Sequence, residues 1–395
     1  MTLTDVYATP ERRALRELVL DFTRREIAPH LPAWESEGAL PRSLHRTTAE
    51  AGILGIGFPE SVGGSGGDLV DVVVFTEALL EGGASGGVVA GLFSHGIALP
   101  HVVDEADRRR ARGDQDGADH LIDRYVRPVL SGEAIASLAV TEPDGGSDVA
   151  HLRTRAKQGA DATWSVTGAK TYITSGVRAD LVVAAVRTGT PEEGAAGISL
   201  MVLDPRSPGY AQPRALDKMG WLCSDTAELS FDGVVVRADD VLGEGQGFAS
   251  LAQHFVSERI SLAVTAYSTG QRALDLTLDW VRNRETFGRP LISRQVVRHT
   301  LVEMHRRIEV ARTYTREIAA RYAAGEAVTV AAALAKQTAV EACSYAVDQA
   351  VQLHGGMGYM RESEVERHYR DARVLGIGGG ATEVMTDLVA RLLDY

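Results

Sequence analysis

The stretch SLAVTEPDGGSDV, Ser137 to Val149, is where the chain changes character. A short, partly β-branched run passes into Glu-Pro-Asp-Gly-Gly, whose proline and glycines favour a turn over any regular element. Downstream the habit repeats in TWSVTGAKTYIT, DLVVAAVRT, GISLMVLD and AELSFDGVVV, which predicts a strand-rich middle domain over residues 135–241. Upstream, Leu15, Leu18, Val19, Phe22 and Ile27 recur at spacings near 3.6, and Val72 to Glu81 continues that period, predicting a helical domain over 1–134. After the junction Gly243-Glu244-Gly245-Gln246-Gly247 the pattern is long helix again, a third domain over 242–395. The order is helical, β, helical. Glycines at 63–67 lack the strand-GxGxxG-helix setting of a dinucleotide-binding fold, and no GK[ST] phosphate loop occurs.

A chain of 395 residues exceeds the size at which one core stops growing, so several domains are expected. The net charge of -12 argues against nucleic acid as a partner, because affinity for phosphate backbones comes from clustered Lys and Arg. The basic run Asp107–Arg112 reads as a solvated helix face. Cys223 and Cys343 stand far apart without CxxC or CxxH neighbours, so neither a disulfide framework nor a metal centre is expected. The start lacks a signal-type apolar core, and no later apolar run approaches the ~20 residues that cross a bilayer. The expectation is a cytoplasmic chain without membrane insertion.

The segment Ala139-Val140-Thr141-Glu142-Pro143-Asp144-Gly145-Gly146-Ser147-Asp148-Val149 resembles the signature that the acyl-CoA dehydrogenase family carries in the first strand of its β domain. Three further stretches match in the family's order: GAKTYITSG from Gly168, RETFG from Arg284 and QLHGGMGY from Gln352. Together they span nearly the whole chain. The resemblance implies an α+β fold of the acyl-CoA dehydrogenase type, with an N-terminal helical domain, a middle β-barrel-like domain and a C-terminal four-helix bundle. It implies FAD as cofactor and the conversion of acyl-CoA to trans-2-enoyl-CoA, the α proton passing to a carboxylate and the β hydride to flavin N5.

The same resemblance implies site residues, position by position. Val140, Thr141, Gly146 and Ser147 would meet the FAD or the thioester. Tyr172, Ile173 and Thr174 would flank the isoalloxazine, Tyr172 standing where the family often has Trp. Arg284, Thr286 and Phe287, with Gln295, match the part that reaches FAD from a neighbouring subunit, and Gln352, Gly355 and Gly356 match further cofactor contacts. A shared cofactor implies a homo-oligomer, the tetramer typical of the family, with an electron-transfer flavoprotein as oxidant. Phe255 and Arg259 match positions at the CoA portion, and Ser147 serves there too. The stretch Asp104–Asp123 is longer than the family needs and reads as a surface insertion. Ala381 stands where the family usually has Thr, and Glu383, a cofactor-contact position, where an amide is common.

In many members the catalytic carboxylate occupies the turn before the last helix, and here that place is Gly379. Another acid is then needed. Leu251, Phe255, Glu258, Leu262 and Ala266 share one helical face, so Glu258 interrupts an apolar stripe, the setting that pushes a carboxyl toward a useful basicity. A subset of the family, including isovaleryl-CoA and long-chain acyl-CoA dehydrogenases, places its base on this helix before an Arg, and Glu258-Arg259 matches. From the stripe alone, Glu258 pairing with a nearby Arg is the alternative. Gly379 is assigned the backbone N–H that steadies the developing enolate oxygen, without a side chain to obstruct Glu258 or a bulky acyl group. Alternatives are the same fold acting on an acyl-carrier-protein thioester, an oxygen-using flavoenzyme, or a non-catalytic FAD-binding relative.

Overall fold

The computed structural model describes residues 6–159 and 161–395; the first five residues of the expected N-terminal domain lie outside them. The N-terminal part is helical from Pro10 to Leu130. Its first helix, α1 (Pro10–Phe22), starts where Thr9 accepts from the Arg12 N–H and Pro10 fixes the first turn. Helix α2 (Leu69–Glu81) opens on a reciprocal capping box between Asp68 and Asp71. Helix α3 (His95–Ala111) runs against the sheet.

The middle domain is an eight-stranded mixed sheet: β1 (Ala136–Ala139), β2 (Arg155–Gln158), β3 (Thr163–Thr174), β4 (Leu181–Arg187), β5 (Ile198–Leu203), β6 (Arg214–Ala215), β7 (Thr226–Arg237) and β8 (Val241–Leu242). The main path is β6-β7-β3-β2-β4-β5-β8, and β1 lies parallel to β4 beside Leu181–Ala184. One edge of β4 is therefore shared, β1 taking its start and β2 meeting it only at Arg187. Strands β4 and β5 are buried along their whole length, which explains why LVVAAVR and ISLMVL read as continuous rather than alternating runs. Leu181, Val183 and Ala185 face a core shared with α3, whereas Val182, Ala184 and Val186 face a second core with β3 and β7.

The C-terminal domain is built on α4 (Gly247–Asn283), α5 (Gln295–Ala323) and α6 (Thr329–His354), with α7 (Glu364–Ala372) and the last helix α8 (Thr382–Leu392). Small residues let α4 and α6 approach closely: a Cβ on Gly270 would stand 3.4 Å from the Cα of Cys343. Ala332, Ala335, Ala339, Ala342 and Ala346 line the same buried face of α6.

Two expectations fail at Asp104–Asp123. The stretch is not a surface insertion: it continues α3 and forms a second helix, Gln115–Leu121, whose Ala118 and Leu121 are buried. Nor is the basic run wholly solvated. Arg109 is buried, pairs with buried Glu105 at 3.0 Å, and donates to the carbonyls of Gly117, Asp239 and Val241. It ties the helical domain to the end of the sheet because its fork can satisfy several carbonyls at once. Gly86–Ala111 also contains an 18-residue run long and apolar enough, by composition, to span a bilayer, contrary to expectation; 67% of that run is buried inside the protein, as in a core helix. Arg108 and Arg112 also reach the Glu105 carboxylate, so Arg109→Leu chiefly takes the donor from the Gly117, Asp239 and Val241 carbonyls and should cost about 1–3 kcal/mol of stability, read from the urea midpoint; an unchanged midpoint would contradict the role.

Candidate active site

The signature loop is held from beneath by a buried ion pair that the motif reading did not isolate. Lys170 on β3 is fully buried, and its Nζ donates to Glu142 Oε1 and to the Val140 carbonyl, each at 2.9 Å. Glu142 also accepts from the backbone N–H groups of Arg153 at 2.6 Å and Thr154 at 2.8 Å. Burial raises the Glu142 carboxyl, but Lys170 and these donors outweigh it and hold it below the usual range. For Lys170 burial wins, lowering it to about 8. Glu142 lies in the TEPDGG stretch and Lys170 in GAKTYIT, and their opposite charges were the available signal.

Above this pair, Pro143, Asp144, Gly145, Gly146 and Ser147 are exposed, and Val140 and Thr141 are half-buried. The pairing of β3 with β7 breaks between Lys170 and Ile173. At that bulge Thr171 donates instead to the Thr141 carbonyl at 2.9 Å, and Tyr172 takes a left-handed backbone with φ of 60°. A tyrosine rarely adopts that conformation, and bulges of this kind re-aim a side chain. The result is a flat ring 70% exposed beside the signature loop. Ile173 differs from the expectation in one respect: its side chain is buried in the β core, so only its main chain can face a ligand. Thr174 is half-buried and ends the strand.

Glu258 lies on α4 one turn beyond Phe255, which packs into the same apolar cluster as Val140 and Val149. Its carboxylate receives no hydrogen bond among the described residues. Burial raises its pKa, opposed first by Lys336 and then by Arg259. Arg259 lies over the Phe255 ring at 5.8 Å, and its buried Nε has no partner among the described residues, a donor available to an anionic ligand. Gly379 sits opposite. A Cβ there would stand 3.3 Å from Glu258 Oε1 but only 2.2 Å from Leu262 Cδ1. A side chain would crowd Glu258, as expected, but the space is taken by Leu262 rather than left open for a bulky acyl group. Its φ of 62° lies in the left-handed region, which favours glycine. Ala381 and exposed Glu383 lie just beyond, at the start of α8.

The remaining matched residues gather elsewhere. Arg284 ends α4, its guanidinium 5.9 Å from the Trp280 ring, and Trp280 stacks on His354 at the end of α6. Gln352, Gly355 and Gly356 are exposed at that corner, as is Gln295 at the start of α5; Arg294 donates to the Thr286 carbonyl. Phe287 is 96% exposed with φ of 51°. Along the axis of α4, Arg284 stands about 39 Å from Glu258. The matched residues therefore fall into two separate groups within one chain.

These surfaces fit a flavin. An outward flat ring, free loop groups beside it, and a separate guanidinium with open glycine backbone suit a planar ring system and a pyrophosphate. Three comparisons agree with that reading. Residues 9–110, 137–234 and 245–393 match the N-terminal, middle and C-terminal domains of acyl-CoA dehydrogenase. A probable acyl-CoA dehydrogenase of Mycobacterium abscessus is similar in structure, with a TM-score of 0.92 and 57% identity, covering 98% of this chain and all of the other. The mouse long-chain specific acyl-CoA dehydrogenase is 34% identical over 98% of this chain and 89% of its own length, and a probable acyl-CoA dehydrogenase of Bacillus subtilis is 33% identical over 98% of both.

Lys170→Met should lower stability by about 3–5 kcal/mol at neutral pH by leaving Glu142 buried and unpaired. Because the folded pKa of Glu142 is depressed, the wild type's advantage is complete above the ordinary glutamate value and shrinks as pH falls through the folded one. Denaturant midpoints of both proteins across that acid range check it; a difference independent of pH would count against the pair.

Proposed function

We infer that Glu258 is the base of an acyl-thioester dehydrogenase, and the premise is plain: this chain belongs to the acyl-CoA dehydrogenase family. It is an oxidoreductase of that family, and the family's cofactor is FAD. The observation that carries the finer reading is the exchange of side chains between two elements. The turn before α8 has no carboxylate at Gly379, and Glu258 on α4 reaches to within 3.3 Å of where one would begin. This supports placing the chain in the subset whose base lies on the long helix.

Val140, Thr141, Gly146, Ser147 and Tyr172 to Thr174 would hold the isoalloxazine, which when bound supplies the acceptor for the hydride leaving the β carbon. The chain's own part is proton transfer and charge stabilisation. The ionised Glu258 takes the α proton; the electrons of the broken C–H bond form the new α,β double bond as the hydride leaves. During this the thioester oxygen gains negative charge, which the Gly379 N–H steadies. The apolar residues around Glu258 limit its solvation, and that desolvation keeps its carboxylate basic enough to act. Phe255 and Arg259 line the approach of the CoA portion, Arg259 offering its unpartnered Nε.

The 39 Å separation of the two half-sites supports a homo-oligomer, the tetramer in our reading, in which Arg284, Thr286, Phe287, Gln295, Gln352, Gly355 and Gly356 complete a neighbour's cofactor site. Exposed Phe287, Val296, Val302 and Val310 supply apolar surface for such contacts. The reduced protein would pass its electrons to an electron-transfer flavoprotein. The domain limits 134/135 and 241/242 remain our proposed division.

Glu258→Gln should keep its yellow colour but be reduced by acyl-CoA under anaerobic conditions about 100- to 10,000-fold more slowly. Undiminished reduction would remove Glu258 from the mechanism. In the wild type the rate should climb with pH through the raised pKa of Glu258, because only the ionised form accepts a proton; stopped-flow bleaching of the flavin across pH measures this.

A further inference from the structure

Lys336 is the charged residue at this site that no motif pointed to. It lies on the buried alanine face of α6 and is 2% exposed. Its Nζ donates to the carbonyls of Gly378 and Gly380, the latter at 2.6 Å, and stands 3.6 Å from the position a Cβ on Gly379 would take. The ammonium thus straddles Gly379, gripping the peptide groups on both sides of it.

The consequence follows from peptide geometry. The bond between Gly378 and Gly379 is trans, as all are among the described residues, so its C=O and N–H point in opposite directions. Drawing the Gly378 carbonyl to Lys336 turns the Gly379 N–H away from α6. That N–H has no acceptor among the described residues, although the neighbouring Gly378 N–H bonds to the Val374 carbonyl at 2.8 Å. It is a donor held ready and unspent. The three glycines make this necessary as well as possible, because backbone with so much freedom would otherwise sample many orientations.

We propose that Lys336 is a positioning residue, which aims the Gly379 N–H at the thioester oxygen and sets the field felt by Glu258. The inference rests on Glu258 being the base. Lys336 acts on two groups through different physics: hydrogen bonds orient the donor, and its charge favours the ionised form of Glu258. Burial lowers Lys336 itself to about 8, with Arg259 adding to the fall and Glu258 opposing it. Its charge is therefore present at neutral pH and fades in mild alkali.

The test compares Lys336→Met and Glu258→Gln in the flavin-loaded protein. Lys336→Met should lower kcat about 100-fold, the cost of one misdirected donor, with KM changed much less. A second readout needs no turnover: infrared titration of the Glu258 carboxyl, identified by its loss in Glu258→Gln, should move to higher pH in Lys336→Met. Wild-type kcat, or an unmoved titration, overturns the proposal. So does a fall in kcat matched by loss of bound FAD, which marks a merely structural lysine. Should Lys336→Met fail to fold, Lys336→Gln, which keeps a donor for one carbonyl, is read in the same way. If Glu258→Gln is fully active the base assignment itself falls; if it is inactive while Lys336→Met behaves as wild type, only the role of Lys336 falls.

Discussion

Burial disfavours the charged form of Glu258, and the protein offsets this with two cations at a distance rather than with a hydrogen bond to the carboxylate. The choice matters because a carboxylate that accepts several close donors is a poor base, whereas one balanced only by remote charge keeps its lone pairs for a proton. Three elements must meet for that balance: α4 carries Glu258 and Arg259, α6 carries Lys336, and the turn before α8 contributes a residue small enough to stand between them. The close seam of α4 and α6, lined by alanines and Gly270, serves the same need.

The middle domain solves a parallel problem with the opposite chemistry. Glu142 is saturated by Lys170 and two backbone donors, which makes it inert and lets it act as an anchor. Around that anchor the signature turn stays exposed while its base is fixed, and the adjacent bulge turns Tyr172 outward. Two glutamates in one chain, one buried and one half-buried, thus differ in that the first is surrounded by donors and the second is not.

Much of this was legible in the residues. The change from period 3.6 to β-branched segments located the three domains, and the missing acid at Gly379, together with a lone acid on an apolar stripe, drew attention to Glu258. Lys336 carried the same signal, a charge among Ala332, Ala335, Ala339 and Val340, yet no motif drew attention to it. Arg109 was hidden differently: among neighbouring arginines it looks like any surface charge, and only the fold reveals carbonyls from β8 and its approach converging on it. Leu262 filling the space at Gly379 could not be read at all, since it depends on how two distant segments pack. Nor could the bulge at Tyr172, where the backbone departs from the strand that its sequence favours.

Helix α6 joins the two groups of matched residues within one chain. Lys336 lies on its buried face, and exposed Gln352 follows near its C-terminal end on the same run of hydrogen-bonded backbone. The helix is therefore a ruler as well as a wall. A single residue inserted between those two positions would swing one end by about 100° relative to the other while leaving every motif intact, so the length of this plain, alanine-rich segment is as constrained as the residues at its tips.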